Sequence, residues 1–493
     1  MGLSSNNSNA SSANSSNVGN SNESSNANNS INDGKSGGRN SFASSIGFIM
    51  AAAGSAVGLG NIWRFPYLAA KDGGGLFLVV YIILTLTFGF TLLTTEISIG
   101  RRTAQGPLTA YGKVKKGWGF LGGLAWIVPV LILPYYCAIG GWVLKYFMVF
   151  VFGKAEMAAS DNFFGDYITS VNEPIIWFVV FLAATSFVVL RGVNKGIEEL
   201  SKILMPILLV LILGISLFAL TLKNGDVTGL DGLKVYVVPD LTGLTLAKFV
   251  QVLMDAMGQL FFSISVAMGI MVAYGSYAKK DADLMSSINQ IELFDMIVAM
   301  LAGLMIVPAV FVFSGREGMT AGPGLMFQSL PKVFVKMGNA GSVVGIIFFL
   351  TVIFAALTSS VSIMEAIVSG LMDKFKLRRR ISASLTTLYA LFLGVVVCLG
   401  YNKLYVEVNL PNGTKGQILD ILDFISNSWF MPLVALLTCI LIGWVAQPSY
   451  VIEEVEQEKH KFSRKLLYIV MIKFVAPILL FVLLLQSFGI VKL

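Results

Sequence analysis

From residue 43 onward the chain consists of long apolar stretches separated by short polar connections. They lie near 43–70, 75–99, 119–152, 174–191, 198–222, 246–276, 289–313, 341–371, 381–400, 417–446 and 464–490. Each can cross a hydrocarbon core, which takes about 20 helical residues. None alternates polar and apolar positions as a membrane strand does. The pattern therefore predicts an all-α membrane protein of about eleven transmembrane helices and not a barrel. Residues 1–38 are the opposite, a Ser/Asn-rich tract with almost no apolar side chain. Such a tract buries too little surface to offset the entropy of ordering, so a disordered cytoplasmic tail is expected there. It has no apolar run behind a basic start and does not read as a secretory signal.

Composition agrees: 55% of the residues are hydrophobic and 13% charged, against roughly 25% charged in soluble domains. The formal net charge of +7 is a topology signal, because the cations gather in alternate connections. Arg101, Arg102, Lys113, Lys115 and Lys116 follow the second stretch; Arg191, Lys195 and Lys202 the fourth; Lys279 and Lys280 the sixth. Lys374, Lys376, Arg378, Arg379 and Arg380 follow the eighth, and Lys459, Lys461, Arg464 and Lys465 the tenth. The opposite connections carry Asp161 and Asp166, or Asp226 and Asp231. This asymmetry puts the amino terminus in the cytoplasm of a cell whose plasma (inner) membrane holds the chain, and Val491-Lys492-Leu493 outside. One histidine, His460, excludes a His-based triad or a multi-His metal centre. Cys137, Cys398 and Cys439 lie in apolar runs without metal-ligand spacing, so neither an enzyme nor a nucleic-acid binder is expected.

Two stretches are interrupted. The first reads AAAGSAVGLGNIWRFP over residues 51–66, and the sixth reads QLFFSISVAMGIMVAYGSY over residues 259–277. They stand five stretches apart, as in two inverted repeats of about 43–222 and 246–446, with a final helix at about 464–490. Breaks at matching places in two halves mark a transport site near the midplane. Close helix packing would also use glycines, but it gives no reason for Asn61, Ser263, Ser265 or Asp295. A helix broken in lipid frees carbonyls and amides, each costing several kcal/mol without a partner. Carbonyls of Gly54, Ala56 and Val57 could meet sodium, and amides of Leu59 and Gly60, opening the second half-helix, could meet a carboxylate. Thr358 and Ser359 are adjacent hydroxyls in FAALTSSVSIM, where each alone would ordinarily bond to the preceding turn. Asp295 lies inside an apolar stretch, where an unpaired carboxylate costs a few kcal/mol and a sodium ion would serve as partner.

The run AAAGSAVGLGNIWRFPYLAAKDGGGLF, with Glu96, GIEELSKILMP at 196–206, LFFSISVAMG and LTSS, resembles the neurotransmitter:sodium symporters, specifically the prokaryotic eleven-span sodium-dependent amino-acid transporters. The likeness covers residues 39–490, the expected transporter domain. It implies one sodium site from the Ala56 carbonyl, Asn61, Ser263, Asp295 and the substrate carboxylate. A second would use carbonyls of Gly54, Val57 and Ala355 with the hydroxyls of Thr358 and Ser359. Both are oxygen cages of the kind hard cations take. The substrate carboxylate would meet Leu59, Gly60 and Tyr136. The amine would meet carbonyls of Ala56 and Phe262 with the Ser265 hydroxyl. Ile132, Tyr136, Phe262, Met268, Ser359 and Ile363 would surround the side chain, with Ser55 and Ser263 beside it. Gly58 stands where monoamine carriers of the family have Asp. Arg64 and Asp423 would form an outer gate above Tyr136 and Phe262. Arg39 and Asp373 would form an inner gate with Phe42 and Tyr277, although Arg39 also serves as a positive-inside anchor.

Three positions depart from the best-known prokaryotic member. Phe42 replaces a tryptophan, Met268 a phenylalanine and Asp295 an asparagine. Asp295 could supply the negative charge that chloride brings to chloride-dependent relatives, so chloride is not expected to be required; the same carboxyl could export a proton during the empty return step. The implied function is sodium-coupled import of amino acids, hydrophobic or aromatic, by alternating access, with one monomer sufficient. The alternatives are a carrier of another carboxylated amine or osmolyte, or a non-transporting sensor on the same scaffold.

Overall fold

The computed structural model describes residues 41–320, 322–411 and 413–490. The expected tail at 1–38, Arg39 and the terminus at 491–493 lie outside the described residues. The apolar stretches are helices. The first is split into α1 (Ser45–Ala56) and α2 (Gly60–Lys71), bent by 53°. Then follow α3 (Gly75–Thr103), α4 (Gly119–Val151), α5 (Glu173–Leu190) and α6 (Val193–Thr221). The sixth stretch is α7 (Leu246–Ser263) and α8 (Ile270–Gly275). The chain continues through α9 (Leu284–Ser314), α10 (Ala340–Phe375), α11 (Arg379–Leu399), α12 (Ile418–Val445) and α13 (Lys465–Ser487).

Among the described residues nine helices are long and apolar enough to cross a membrane, or ten spans when α1 and α2 count as one. The expected count of about eleven differs by the sixth stretch. Its first half, α7, carries Lys248, Gln251, Asp255 and Gln259, and its second half has six residues, so neither half reads as an apolar span.

The broken helices occupy the middle of the bundle. α1 packs among α6, α9 and α10, while α7 and α8 lie along α3. α4 runs against α5 and α10 and closes the other side. Outside, Phe187 on α5, Val210 on α6, Phe392 on α11 and Ile478 on α13 are exposed apolar side chains, suited to the lipid that surrounds a membrane bundle. Several spans contain a turn wound with one extra residue, including Gly60–Arg64 directly after the first break and Val193–Glu198 at the start of α6. Such turns interrupt the regular ladder and recur at functional sites.

Charged anchors hold the ends of the spans. Glu198 accepts hydrogen bonds from the Ala43 amide at 2.7 Å and the Ser44 hydroxyl at 3.0 Å, just before α1. Gly47 lies so close beneath it that an added Cβ would fall 1.9 Å from Glu198 Oε1. Glu365 on α10 takes the Tyr277 hydroxyl at 2.6 Å and pairs with Arg379. Arg101, at the end of α3, forms a buried pair with Glu454, Nε to Oε1 2.7 Å, and donates to the Ala282 carbonyl at 2.9 Å. Arg101→Ala would leave Glu454 fully buried with the Gln457 amide at 2.7 Å and Lys280, its one remaining cation, at 3.4 Å. Losing one member of a buried pair costs about 3–5 kcal/mol. The variant's melting temperature in detergent should fall well below the parent's, and an unchanged value would contradict the role given to this pair.

Candidate functional site

At the first break Val57 turns extended, with φ −78° and ψ 99°, and ends α1. Gly58 follows where there is no room for a side chain: an added Cβ would lie 2.9 Å from Ser359 Oγ and 3.1 Å from the Tyr136 hydroxyl oxygen. At the second break Ser265 and Ala267 have φ of 53° and 61°. Left-handed backbone costs an L-residue about 1–2 kcal/mol, so something must hold it. The Ala267 amide donates to Glu96 Oε1 at 2.7 Å, and the Ser265 hydroxyl donates to the Ser55 carbonyl at 2.9 Å. The Ser55 hydroxyl donates in turn to Ser265 Oγ at 3.1 Å. The two breaks are thereby tied to each other.

Beside them lies a small cavity lined by Ser55, Gly58, Ile132, Tyr136, Phe262, Ser265, Met268, Ser359 and Ile363. One part of this lining is hydroxyl-rich, from Ser55, Ser265, Ser359 and Tyr136. The other is apolar, from Ile132, Phe262, Met268 and Ile363. The structure thus brings together the side chains expected around a substrate and adds Gly58. Ala56, Leu59, Gly60 and Ser263 are buried behind this lining. The Leu59 amide donates to the Tyr136 hydroxyl at 3.4 Å, and the Gly60 carbonyl accepts from Gln259 Nε2 at 3.2 Å.

Two oxygen clusters flank the cavity. In the first, Asp295 Oδ1 accepts from Asn61 Nδ2 at 2.9 Å and from Ser263 Oγ at 2.8 Å. The Tyr81 hydroxyl donates to Ser263 Oγ at 3.0 Å and lies 3.4 Å from Asp295 Oδ2. Asn61 Oδ1 is buried with no hydrogen-bond partner, an acceptor left free beside a carboxylate. In the second, the Ser359 hydroxyl reaches carbonyls of Ser55 at 3.1 Å, Val57 at 3.2 Å and Gly54 at 3.5 Å. Thr358 bonds back to the Phe354 carbonyl at 3.0 Å, as an isolated threonine would, and reaches the Ala355 carbonyl at 3.1 Å. Among the described residues no three His, Cys, Asp or Glu side chains converge so that they could hold a metal ion. The donors are hydroxyl, amide and carbonyl oxygens with one carboxylate, a set that suits a hard cation and not a transition metal.

The expected outer pair is not in contact. Arg64 lies in the field of Asp423 and Asp255 but forms an ion pair with neither. Asp423 instead accepts from Asn427, one turn along the same helix, at 2.6 Å. On the opposite side Phe42 is buried, edge-on to Phe48, Tyr274 and Tyr277 with centroids 5.6, 5.7 and 6.3 Å apart. The Gly106 amide donates to Asp373 at 2.5 Å; Arg39, its expected partner, falls outside the described residues. Sequence reasoning missed Tyr81, Gln259 and Glu365 as neighbours of these groups. A tyrosine within the apolar LVVYIIL run, whose hydroxyl must find a partner when buried, was the available signal for Tyr81.

Comparison with known proteins bears on this geometry. The family model described as the sodium:neurotransmitter symporter family matches residues 39–158 and 156–492. An uncharacterized sodium-dependent transporter of Bacillus subtilis is 34% identical over 92% of this chain and 98% of its own length. The human sodium- and chloride-dependent taurine transporter is 26% identical over 84% of this chain and 72% of its own. Among solved structures, that of MhsT in complex with L-phenylalanine superposes with a TM-score of 0.80 at 35% identity, covering 92% of this chain and all of that one.

Proposed function

The chain belongs to the sodium:neurotransmitter symporter family, and on that premise we propose that it imports amino acids with hydrophobic or aromatic side chains through two sodium sites. As a member of that family it is a sodium-coupled transporter and not an enzyme. The observation that carries the substrate reading is the cavity itself, hydroxyl-rich against the two helix breaks and apolar toward Ile132, Met268 and Ile363. A zwitterion fits that division. Its carboxylate meets the amides of Leu59 and Gly60, at the positive end of the half-helix they open, and the Tyr136 hydroxyl. Its amine meets the Ser265 hydroxyl with the carbonyls of Ala56 and Phe262. The likeness to MhsT, whose structure holds L-phenylalanine, supports an apolar side chain.

The first sodium site comprises the Ala56 carbonyl, Asn61, Ser263, Asp295 and the substrate carboxylate. The unpartnered Asn61 Oδ1 supports it, because a buried acceptor without a donor favours a cation. The second comprises Gly54, Val57, Ala355, Thr358 and Ser359. Coupling follows from the shared carboxylate: substrate completes the first ion's shell, so neither is held well alone. Arg64 and Asp423 close the outer side and Arg39, Asp373, Phe42 and Tyr277 the inner side in alternation. The transporter domain spans residues 39–490, with its amino terminus in the cytoplasm. Each net charge carried inward gains about 2.3 kcal/mol per 100 mV of membrane potential.

A thermal-shift screen of the twenty amino acids, with and without sodium, tests the reading, because a ligand of the folded state raises apparent stability by mass action. Hydrophobic or aromatic amino acids should raise the melting temperature only with sodium present, and their decarboxylated amines should not. Stabilisation by taurine or γ-aminobutyrate instead would favour a carboxylated or sulfonated osmolyte, the second reading, to which relatives named for those solutes point.

Asp295 already supplies a negative charge at the first site, so uptake should proceed at equal rates in chloride and in gluconate. A large loss in gluconate would reject that role. Gly58→Asp should weaken amino-acid binding by more than tenfold, since the new carboxylate enters the space between Ser359 and Tyr136 and repels the substrate's own. Isothermal titration with the best amino acid from the screen measures it, and wild-type affinity in the variant would exclude the placement.

A further inference from the structure

α2 ends at the outer face in Lys71 and Asp72, and α7 passes alongside it with Asp255. The Lys71 ammonium lies 2.7 Å from Asp255 Oδ2 and 3.7 Å from Asp72 Oδ1. One cation is thus shared by two carboxyl groups. The Asp72 side chain is 6% exposed and that of Asp255 20%, so water does little to separate their charges. Asp72 Oδ2 is buried and has no hydrogen-bond donor, and its carboxyl meets that of Asp255 through the one ammonium they share. Two carboxylates held on one ammonium with so little water repel each other unless one of them takes up a proton.

The position is rigid. The Asp72 amide donates to the Leu68 carbonyl at 2.8 Å, the Gly74 amide to the Ala69 carbonyl at 2.8 Å, and the Asp240 amide to the Gly73 carbonyl at 3.0 Å. Other charges around the group are accounted for. On α2, Arg64 lies toward Asp255 and Asp423, and Tyr67 acts on Lys71. On the segment packed over Gly73, Asp240 pairs with Arg316 at 3.5 Å, and on Gly229–Val237 Asp231 pairs with Lys234 at 3.0 Å. None of these offers Asp72 Oδ2 a donor.

We propose that Asp72 and Asp255, bridged by Lys71, form a binding site for one external proton that fastens the outer ends of the two broken spans together. The proton sits on the Asp72 carboxyl, while Lys71 balances the remaining charge. Burial, with the Asp255 carboxylate beside it, pushes the Asp72 carboxyl up to about 7. Parting α2 from α7 returns it to water and to the ordinary range near 4. The contact therefore takes up a proton as it forms. It gains up to about tenfold in its equilibrium for each unit of acidification between about 7 and 4, and is insensitive to pH on either side of that window. This site is separate from the cavity and does not depend on which solute is carried.

Infrared difference titration of the purified protein from pH 5 to 9 tests it without a transported solute. The native protein should lose a protonated-carboxyl band with a midpoint near 7. D72N should lack that component, and D255N should move the midpoint down, since the neighbouring charge is gone. Thermal unfolding over the same range keeps the test open if a band is obscured: the native melting temperature should fall between pH 5.5 and 7.5, and that of D72N, whose amide does not titrate, should not. A native titration without a component near 7, or a D72N profile that matches the native one in both measurements, would overturn the proposal.

Discussion

A helix cannot be broken inside a bilayer unless the backbone groups it frees find partners within the protein. The centre of this molecule is organised by that requirement. Ser359, from a continuous span, brings one hydroxyl within reach of three carbonyls at the first break and can donate to one of them at a time. Glu96, from another, takes an amide at the second. Across the gap Ser55 and Ser265 bond to each other. Intact helices such as α3 and α10 therefore act as a frame, and the interrupted ones are the parts whose groups stay available for chemistry.

The same logic accounts for the small residues. Gly58 and Gly60 lie where a methyl group would strike Ser359 or the Phe262 ring. A closed wall of side chains at those points would fill the cavity and cover the amides. The left-handed backbone at Ser265 and Ala267 is the other side of this arrangement, strain held in place by surrounding hydrogen bonds. Polar anchors at the ends of the spans, Glu198 under α1 and the Arg101–Glu454 pair, fix where the half-helices begin and end.

Much of this was legible in the chain because membrane insertion writes itself into composition. Ten of the eleven stretches appear as spans close to their expected limits, since apolar length alone decides them. The sixth did not, because α7 carries Lys248, Asp255 and Gln259 and owes its place to packing along α3. The cavity lining was legible through a resemblance carried by motifs at both breaks, not through periodicity. Contacts such as Ala43 to Glu198, 155 residues apart, leave no local trace. The Arg64 and Asp423 pairing depends on how closely two helices approach, which no pattern of residue types specifies.

Ser55 and Ser265 bond to each other across the two breaks, so that link asks nothing of an occupant. Ser359 is different: its one hydroxyl proton lies near the carbonyls of Gly54, Ser55 and Val57 and can serve a single one of them at a time. A rotation of that hydroxyl alone therefore changes which carbonyl offers a free lone pair, with no movement of the backbone. The joint between the half-helices is fixed by one pair of serines, and the choice of acceptor is left to the third.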